Sequence, residues 1–79
     1  MTTLPRVARV FSQTFAVPAE DIYSSTGPDD VPKWDSLGHM NMVSALEKEF
    51  GLRFKADEIM EMATVQDILD VLTTKGIQG

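Results

Sequence analysis

The chain has 79 residues, of which 43% are hydrophobic, and a formal net charge of −5. We expect one domain, residues 1–79, whose small core disfavours a deep pocket with several catalytic groups. The acidity disfavours nucleic acids and anionic membranes as partners and favours basic protein surfaces. The sequence contains no cysteine, which excludes disulfides and thiolate metal sites.

The sequence also bears on where the protein works. No stretch approaches the roughly 18 apolar residues of a membrane span. The residues that follow Met1 lack the apolar run of a signal peptide. We therefore expect a cytoplasmic monomer that does not bind membranes.

An amphipathic helix is predicted near the start of the chain. Thr2 or Thr3 can cap it, and Pro5 suits its first turn. We expect it to end at Val17-Pro18, because the residue before a proline disfavours the helical region. Its apolar stripe comprises Leu4, Val7, Ala8, Phe11 and Phe15.

A loop that is long for so small a domain follows, from Pro18 to Lys33. Loops of this length are usually functional or disordered. Residues 18–21 can form one helical turn, and we expect the apolar pair Ile22 and Tyr23 to pack onto the core. The only tryptophan, Trp34, is predicted to cover the junction between the loop and the next helix.

A second helix is predicted from Ser36 to Phe50. Asp and Ser both accept hydrogen bonds from the free amides of a first helical turn. If Asp35 is the cap, the Ser36 hydroxyl faces water at the positive end of the helix, where an attached phosphate is favoured. Gly51 stands where a left-handed C-terminal cap is expected. The apolar residues are Leu37, Met40, Val43, Leu46 and Phe50, with Met42 beside them.

Two more helices follow. Leu52 and Phe54 lie in an extended segment from which both can enter the core. Residues 56–62 read as a short third helix, with Ile59 and Met62 on its buried face. The sequence therefore indicates short connections after the second helix.

The fourth helix begins at an imperfect capping box, because Asp67 follows Thr64 by three residues. Gly76 marks its end. Its apolar stripe comprises Val65, Ile68, Leu69 and Leu72. The predicted fold is all-α, a four-helix bundle of three main helices and one short one, with the long loop between the first two.

The stretch from Asp35 to Phe50 resembles the attachment site of acyl carrier proteins, in which Asp-Ser-Leu begins a helix and the serine carries a 4′-phosphopantetheine arm. The likeness continues through Ala45-Leu46-Glu47 and reaches Thr64-Val65-Gln66, so it covers nearly the whole chain. It implies that Ser36 is the attachment residue, and that Asp35 and Leu37 flank it in the cofactor-binding motif.

The resemblance implies a carrier and not an enzyme. A phosphopantetheinyl transferase would attach the arm to Ser36, and the arm would carry acyl groups as thioesters to fatty-acid, polyketide or other specialised biosynthetic enzymes. Their basic docking surfaces would meet the second helix, the usual docking surface of the family. We expect Leu37 and Met40 to be apolar partner contacts and Glu47 to supply a rim charge.

Several positions depart from the common fatty-acid pattern. Gly38, His39 and Asn41 stand where that group is often acidic, and Trp34 is an unusual neighbour. These differences suggest a carrier of a specialised pathway. A small residue at Gly38 could let a partner or the arm approach closely, and His39 is expected to face solvent or a partner.

Other functions compete with this interpretation. An unmodified helical docking module would show the same amphipathic pattern, whereas a DNA-binding domain would need a basic face. A hydrolase would need a base and an orienting group beside Ser36, and His39 is the only histidine. One histidine without cysteine also disfavours zinc, and we predict no metal site.

Overall fold

A computed structural model of the protein describes residues 3–77, and every regular element in this range is helical. The helices are α1 (Thr3–Phe15), α2 (Ser36–Phe50), α3 (Ala56–Glu61) and α4 (Val65–Thr74), and a 3-10 turn forms at Ala19–Asp21. The prediction of three main helices and one short helix is confirmed. Within residues 3–77, none of the helices combines the length and apolarity that crossing a membrane would need.

The core lies between the three long helices. α1 packs mainly against α2 and also contacts α4. On α2 the buried face contains Met42, Val43 and Leu46, whereas Leu37 and Met40 are exposed. The largest fully buried side chains are Phe11, Met42, Leu46, Ile68, Leu72, Val7, Val31 and Val65. The first turns of α2 therefore leave apolar side chains in solvent.

Helix α1 ends two residues earlier than predicted. Ala16 has a φ of 58°, in the left-handed region, and its amide donates to Ser12 O at 3.0 Å. A left-handed residue ends a helix, so termination occurs before the restriction imposed by Pro18 applies. Thr3 is already helical and buried, while the alternative cap, Thr2, lies outside the described residues.

The long loop is tied to the helices by hydrogen bonds. The carbonyls of Ser24 and Thr26 accept from the amides of Gln66 and Val65, each at 2.9 Å. These amides belong to the first turn of α4, where no partner within the helix exists. The loop therefore caps α4 with its backbone.

Only one member of the predicted apolar pair in the loop reaches the core. Ile22 is buried, but Tyr23 is 61% exposed, so the prediction for Tyr23 is wrong. Ile22 has an extended backbone, and successive side chains of an extended segment point in opposite directions. The amide of Tyr23 instead closes a turn by donating to Thr26 Oγ1 at 2.8 Å.

The predicted caps of α2 and α4 are present. Gly51 adopts the left-handed conformation with φ 66°, and its amide donates to Glu47 O. Thr64 Oγ1 accepts from the Asp67 amide at 3.3 Å, and Asp67 Oδ2 accepts from the Thr64 amide at 3.0 Å. Beyond Gly51, Phe54 is buried and Leu52 is half-buried.

The short helix α3 is held at its start by a carboxylate. Glu58 Oε1 accepts from the Lys55 amide at 2.7 Å and pairs with Lys75 Nζ at 2.9 Å. The bond from the Lys55 amide, followed by the bond to Lys75, lowers the pKa of Glu58 below that of a free glutamate. α3 ends at Glu61, one residue short of the prediction, while Met62 is buried and Ile59 half-buried.

We expect Glu58 to make stability depend on pH. Its pKa is lower in the folded chain, so its contribution is complete above the unfolded pKa of about 4.3 and disappears as the pH falls through the folded pKa. Glu58→Gln should be less stable than the parent at pH 7, and the difference should shrink between about pH 5 and 3.

The measurement is urea unfolding at several pH values. Glu20→Gln, which removes an exposed carboxylate from the 3-10 turn, serves as the matched control. A constant difference between Glu58→Gln and the parent from pH 7 to 3 would show that the Glu58 charge does not stabilise the fold.

Candidate functional site

The candidate attachment site is the junction between the long loop and α2. Asp35 has an extended backbone, and its Oδ1 accepts from the Gly38 amide at 2.8 Å. Its carbonyl accepts from the His39 amide at 2.7 Å. Asp35 is therefore the N-cap of α2, as predicted, and Ser36 is the first helical residue.

The Ser36 side chain is exposed at the start of this helix. Its hydroxyl has no hydrogen-bond partner within residues 3–77, and neither do the backbone amides of Ser36 and Leu37. Free amides at a helix N-terminus carry partial positive charge and bind phosphate oxygens. The partial positive charge of these amides would therefore stabilise the negative charge of a phosphodiester on Ser36.

A cleft of about 590 Å³ opens beside Ser36, between α2 and α3. Its lining is largely apolar and consists of Pro28, Trp34, Asp35, Ser36, His39, Met40, Ile59, Met60 and Met62. Three of these residues are methionines, whose flexible side chains adapt to ligands of different shape. Met60 is 84% exposed at the cleft.

His39 is half-buried with both ring nitrogens engaged, so the expectation that it is a solvated residue is wrong. The ring is half-buried, and Nδ1 accepts from Trp34 Nε1 at 2.8 Å. The other nitrogen, Nε2, lies 2.9 Å from the Ile59 carbonyl oxygen of α3. With both nitrogens engaged, His39 has none left to act as a base for Ser36, which argues against the hydrolase alternative.

Trp34 covers the junction between the loop and α2, as predicted. The indole is 5% exposed and contacts Phe11 edge to face, with ring centroids 5.0 Å apart and planes at 86°. Its other side reaches the cleft. Because an isolated tryptophan and histidine carry no spacing motif, no pattern along the chain predicts the hydrogen bond between these two residues.

Gly38 lies where the protein's own loop and α1 leave no room for a side chain. A Cβ atom at this position would overlap the Lys33 carbonyl oxygen and lie 2.9 Å from the Phe15 ring. The space is thus filled by the protein's own loop and by α1, and the expectation that a partner or the arm uses it is wrong. The glycine lets the loop pass close to α2 just before Ser36.

The solvent-facing side of α2 is nearly uncharged. We call it the outer face, and it consists of Leu37, Met40, Asn41, Ser44 and Lys48, all exposed. Leu37 is 73% and Met40 49% exposed. From Ser36 to Leu46 the helix contains no Asp, Glu, Lys or Arg. Lys48 is therefore the only formal charge on this face.

The acids at the end of α2 are engaged with the protein itself. Glu47 is half-buried, and its Oε2 accepts from the Phe54 amide at 2.9 Å. Glu49 Oε2 lies 3.0 Å from both Arg6 Nε and Arg9 Nη2. The Arg6 bond, with help from Arg9, lowers the pKa of Glu49. Glu47 is thus less available as a rim charge than expected from the sequence.

Between Ala56 and Thr74 the sequence has five acidic residues and no Lys or Arg. Some of these carboxylates bind groups within the protein, and others are free. Glu58 pairs with Lys75, Asp67 caps α4, and Asp70 accepts from Gln66 Nε2. Asp57 and Glu61 of α3 are exposed. Within residues 3–77, no three His, Asp or Glu side chains form a group that could hold a metal ion.

Comparison with known proteins gives consistent matches. The family described as PP-binding, "Phosphopantetheine attachment site", matches residues 5–72. An acyl carrier protein of Thermosynechococcus vestitus is 29% identical over 72 residues, which cover 91% of this chain and 89% of the relative. An acyl carrier protein of Acidothermus cellulolyticus is 29% identical over 76 residues, covering 96% and 90% of the two chains.

We expect Gly38→Ala to destabilise the fold by about 1–3 kcal/mol, because the added methyl group must displace the Lys33 backbone. This loss should exceed the gain in helix propensity of up to about 1 kcal/mol. Ser44→Ala, on the outer face of the same helix, should change stability by less than about 0.5 kcal/mol. Urea unfolding measures both, and a Gly38→Ala variant as stable as the parent would contradict the overlap.

Proposed function

Since the chain belongs to the PP-binding family of proteins with a phosphopantetheine attachment site, we propose that Ser36 carries the 4′-phosphopantetheine arm. Members of this family that are named acyl carrier protein are carriers rather than enzymes, and 4′-phosphopantetheine is their prosthetic group. The single observation that supports Ser36 is its exposed, unpartnered hydroxyl at the first position of α2.

The surroundings of Ser36 fit such a group. Asp35 fixes the helix start, and the free amides of Ser36 and Leu37 favour a phosphate attached to the neighbouring hydroxyl. The cleft beside Ser36 offers an apolar wall to a flexible chain. When bound, the arm supplies a thiol that holds an acyl group as a thioester, and the protein presents it to other enzymes.

The proposed partners are a phosphopantetheinyl transferase and the enzymes that load and remove acyl groups. Leu37 and Met40 are the apolar side chains exposed nearest to Ser36 on the outer face, and they support a docking role there. The free acids of α3, Asp57 and Glu61, support contact with basic rims at the other side of the cleft. Glu47 contributes less, because it also holds the Phe54 amide.

The acyl groups would serve fatty-acid, polyketide or another specialised biosynthesis. The uncharged first half of α2 supports a specialised pathway, since a partner selected for an acidic helix would find little charge there. We also propose that residues 1–79 act as one monomeric domain in the cytoplasm. The absence of cysteine is compatible with a reducing compartment and leaves the arm's thiol without an internal competitor.

The attachment is tested by intact mass after incubation with coenzyme A and a broad-specificity transferase. The parent should gain one phosphopantetheine group, and Ser36→Ala should gain none while keeping its stability within about 0.5 kcal/mol. Ser44→Ala, a serine change on the same helix, should be modified like the parent. Modification of Ser36→Ala would refute the assignment, and an unmodified parent would favour a helical docking module.

We expect Met40→Ala to lower kcat/KM of a partner enzyme for the loaded carrier by about tenfold, because buried apolar anchors carry most interface affinity. Removal of the Glu47 charge should have a smaller effect at physiological salt, since rim charges mainly change association rate.

The Glu47 variant must preserve the fold. Glu47→Gln keeps an oxygen acceptor for the Phe54 amide while removing the charge, whereas alanine would remove both. Steady-state kinetics compares the two loaded variants after circular dichroism has confirmed helicity. A larger loss in Glu47→Gln, reproduced by high salt in the parent, would mean that recognition is mainly electrostatic.

A further inference from the structure

We propose that His39 is a positioning residue, which holds α3 against α2 and so fixes the shape of the cleft beside Ser36. The proposal rests on the proposed function only in taking this cleft as the neighbour of the attached arm. It concerns the neutral ring with its proton on Nε2, and it follows from the two bonds that the ring makes.

The partners of His39 determine where its proton lies. An indole N–H can only donate, so Nδ1 must accept from Trp34 Nε1, at 2.8 Å. A carbonyl oxygen can only accept, so Nε2 must donate to Ile59 O, at 2.9 Å. The neutral Nε2-protonated tautomer is the one state of the ring that satisfies both bonds.

Trp34 is a fixed anchor for this ring. Its plane lies within 9° of the His39 plane and the centroids are 6.1 Å apart, while the bonded nitrogens are 2.8 Å apart. The rings therefore meet edge to edge, with the indole hydrogen directed at the in-plane lone pair of Nδ1. Because Trp34 is buried against Phe11, it cannot turn to another acceptor without leaving the core.

Helix α3 has little else to hold it at this side of the cleft. It contains no fully buried residue, and α2 and α3 are not a closely packed pair. The Glu58–Lys75 pair ties α3 to the end of α4, and Ile59 is only half-buried. The bond from His39 to the Ile59 carbonyl is therefore a direct tie between the two walls of the cleft.

A second proton on His39 would break this arrangement. Nδ1–H would then face the indole N–H, and two donors would oppose each other. The ionisable groups nearest the ring are few: Asp35 lines the cleft with its Oδ1 bonded to Gly38, and the other lining residues are uncharged. On α3, Glu58 is paired with Lys75, and Asp57 and Glu61 are not among the lining residues.

Nitrogen NMR on the full chain without its arm tests the tautomer. At neutral pH we expect the proton on Nε2, an unprotonated Nδ1, and a Trp34 indole hydrogen that exchanges slowly with solvent. A ring protonated on Nδ1, or a rapidly exchanging indole hydrogen, would overturn the proposal.

Hydrogen exchange of the backbone amides tests the tie to α3. His39→Phe keeps a ring but removes both bonds, and should speed exchange in residues 56–61 roughly tenfold. His39→Gln carries a donor and an acceptor, and should recover part of the protection. Amides of α1 and α4 are the internal control, and equal acceleration there, or none in α3, would refute a positioning role.

Trp34 fluorescence reports on the bond from the indole to His39. At neutral pH the emission of His39→Phe, which lacks an acceptor for the indole N–H, should differ from that of the parent. The emission of His39→Gln should lie closer to that of the parent, because glutamine carries an acceptor. Equal emission in the parent and in His39→Phe would contradict the proposal.

Intact mass after incubation with coenzyme A and the transferase separates this proposal from the preceding one. His39→Phe and His39→Gln should both still gain the phosphopantetheine group, because His39 holds the cleft and not the hydroxyl. If the parent stays unmodified while the exchange and NMR results hold, the attachment proposal fails and the role of His39 stands.

Discussion

A buried indole N–H needs an acceptor, and the rest of this small fold depends on how that need is met. Trp34 packs against Phe11 of α1, where an unpaired N–H would cost roughly 1–3 kcal/mol. His39 Nδ1 of α2 is the acceptor, and His39 Nε2 donates to the Ile59 carbonyl of α3. Trp34 and His39 together thus connect the end of the long loop with three helices. The loop is consequently a packed part of the fold just before Ser36, the proposed attachment residue.

The same junction determines how Ser36 is presented. The loop approaches α2 closely because Gly38 has no side chain, and Asp35 then closes the first turn of the helix. The earlier part of the loop is anchored to another helix, since the carbonyls of Ser24 and Thr26 accept from the first-turn amides of α4. Ser36 has an exposed side chain, while Asp35 just before it is held by hydrogen bonds to the first turn of α2. This combination suits the proposed role of Ser36, in which a transferase reaches the hydroxyl and the arm leaves it in a defined direction.

The distribution of charge is more informative than the net charge of −5. The two acids of α2 are bound within the protein: Glu47 accepts from the Phe54 amide, and Glu49 pairs with two arginines of α1. The outer face therefore presents Leu37 and Met40 without a surrounding acidic field. An interface built on such a face is expected to depend on apolar fit and to respond weakly to salt. An acidic composition and an outer face with a single charge coexist because the carboxylates lie elsewhere or bind groups within the protein.

The sequence by itself determined the features that arise from neighbours along the chain. These features depend on residues within one or two helical turns, so they can be recognised from the sequence alone. They are the Asp35 cap, the left-handed Gly51, the capping box of Thr64 and Asp67, and the helical stripes. The Asp-Ser-Leu motif likewise identified the family and Ser36 as its candidate attachment residue.

Only the tertiary structure decided the features that join distant segments. His39 bonds to a carbonyl 20 residues away, Arg6 to a carboxylate 43 residues away, and Gly38 makes room for a loop whose path no local pattern specifies. The exposure of Tyr23 was not predicted, because it depends on which side of an extended segment faces the core. The early end of α1 was not predicted either, because it depends on a left-handed conformation at Ala16 that alanine does not favour. Local hydrogen bonds join residues that are close in sequence, so the order of residues predicts them. The long-range contacts form only when the helices pack, so the order of residues does not predict them.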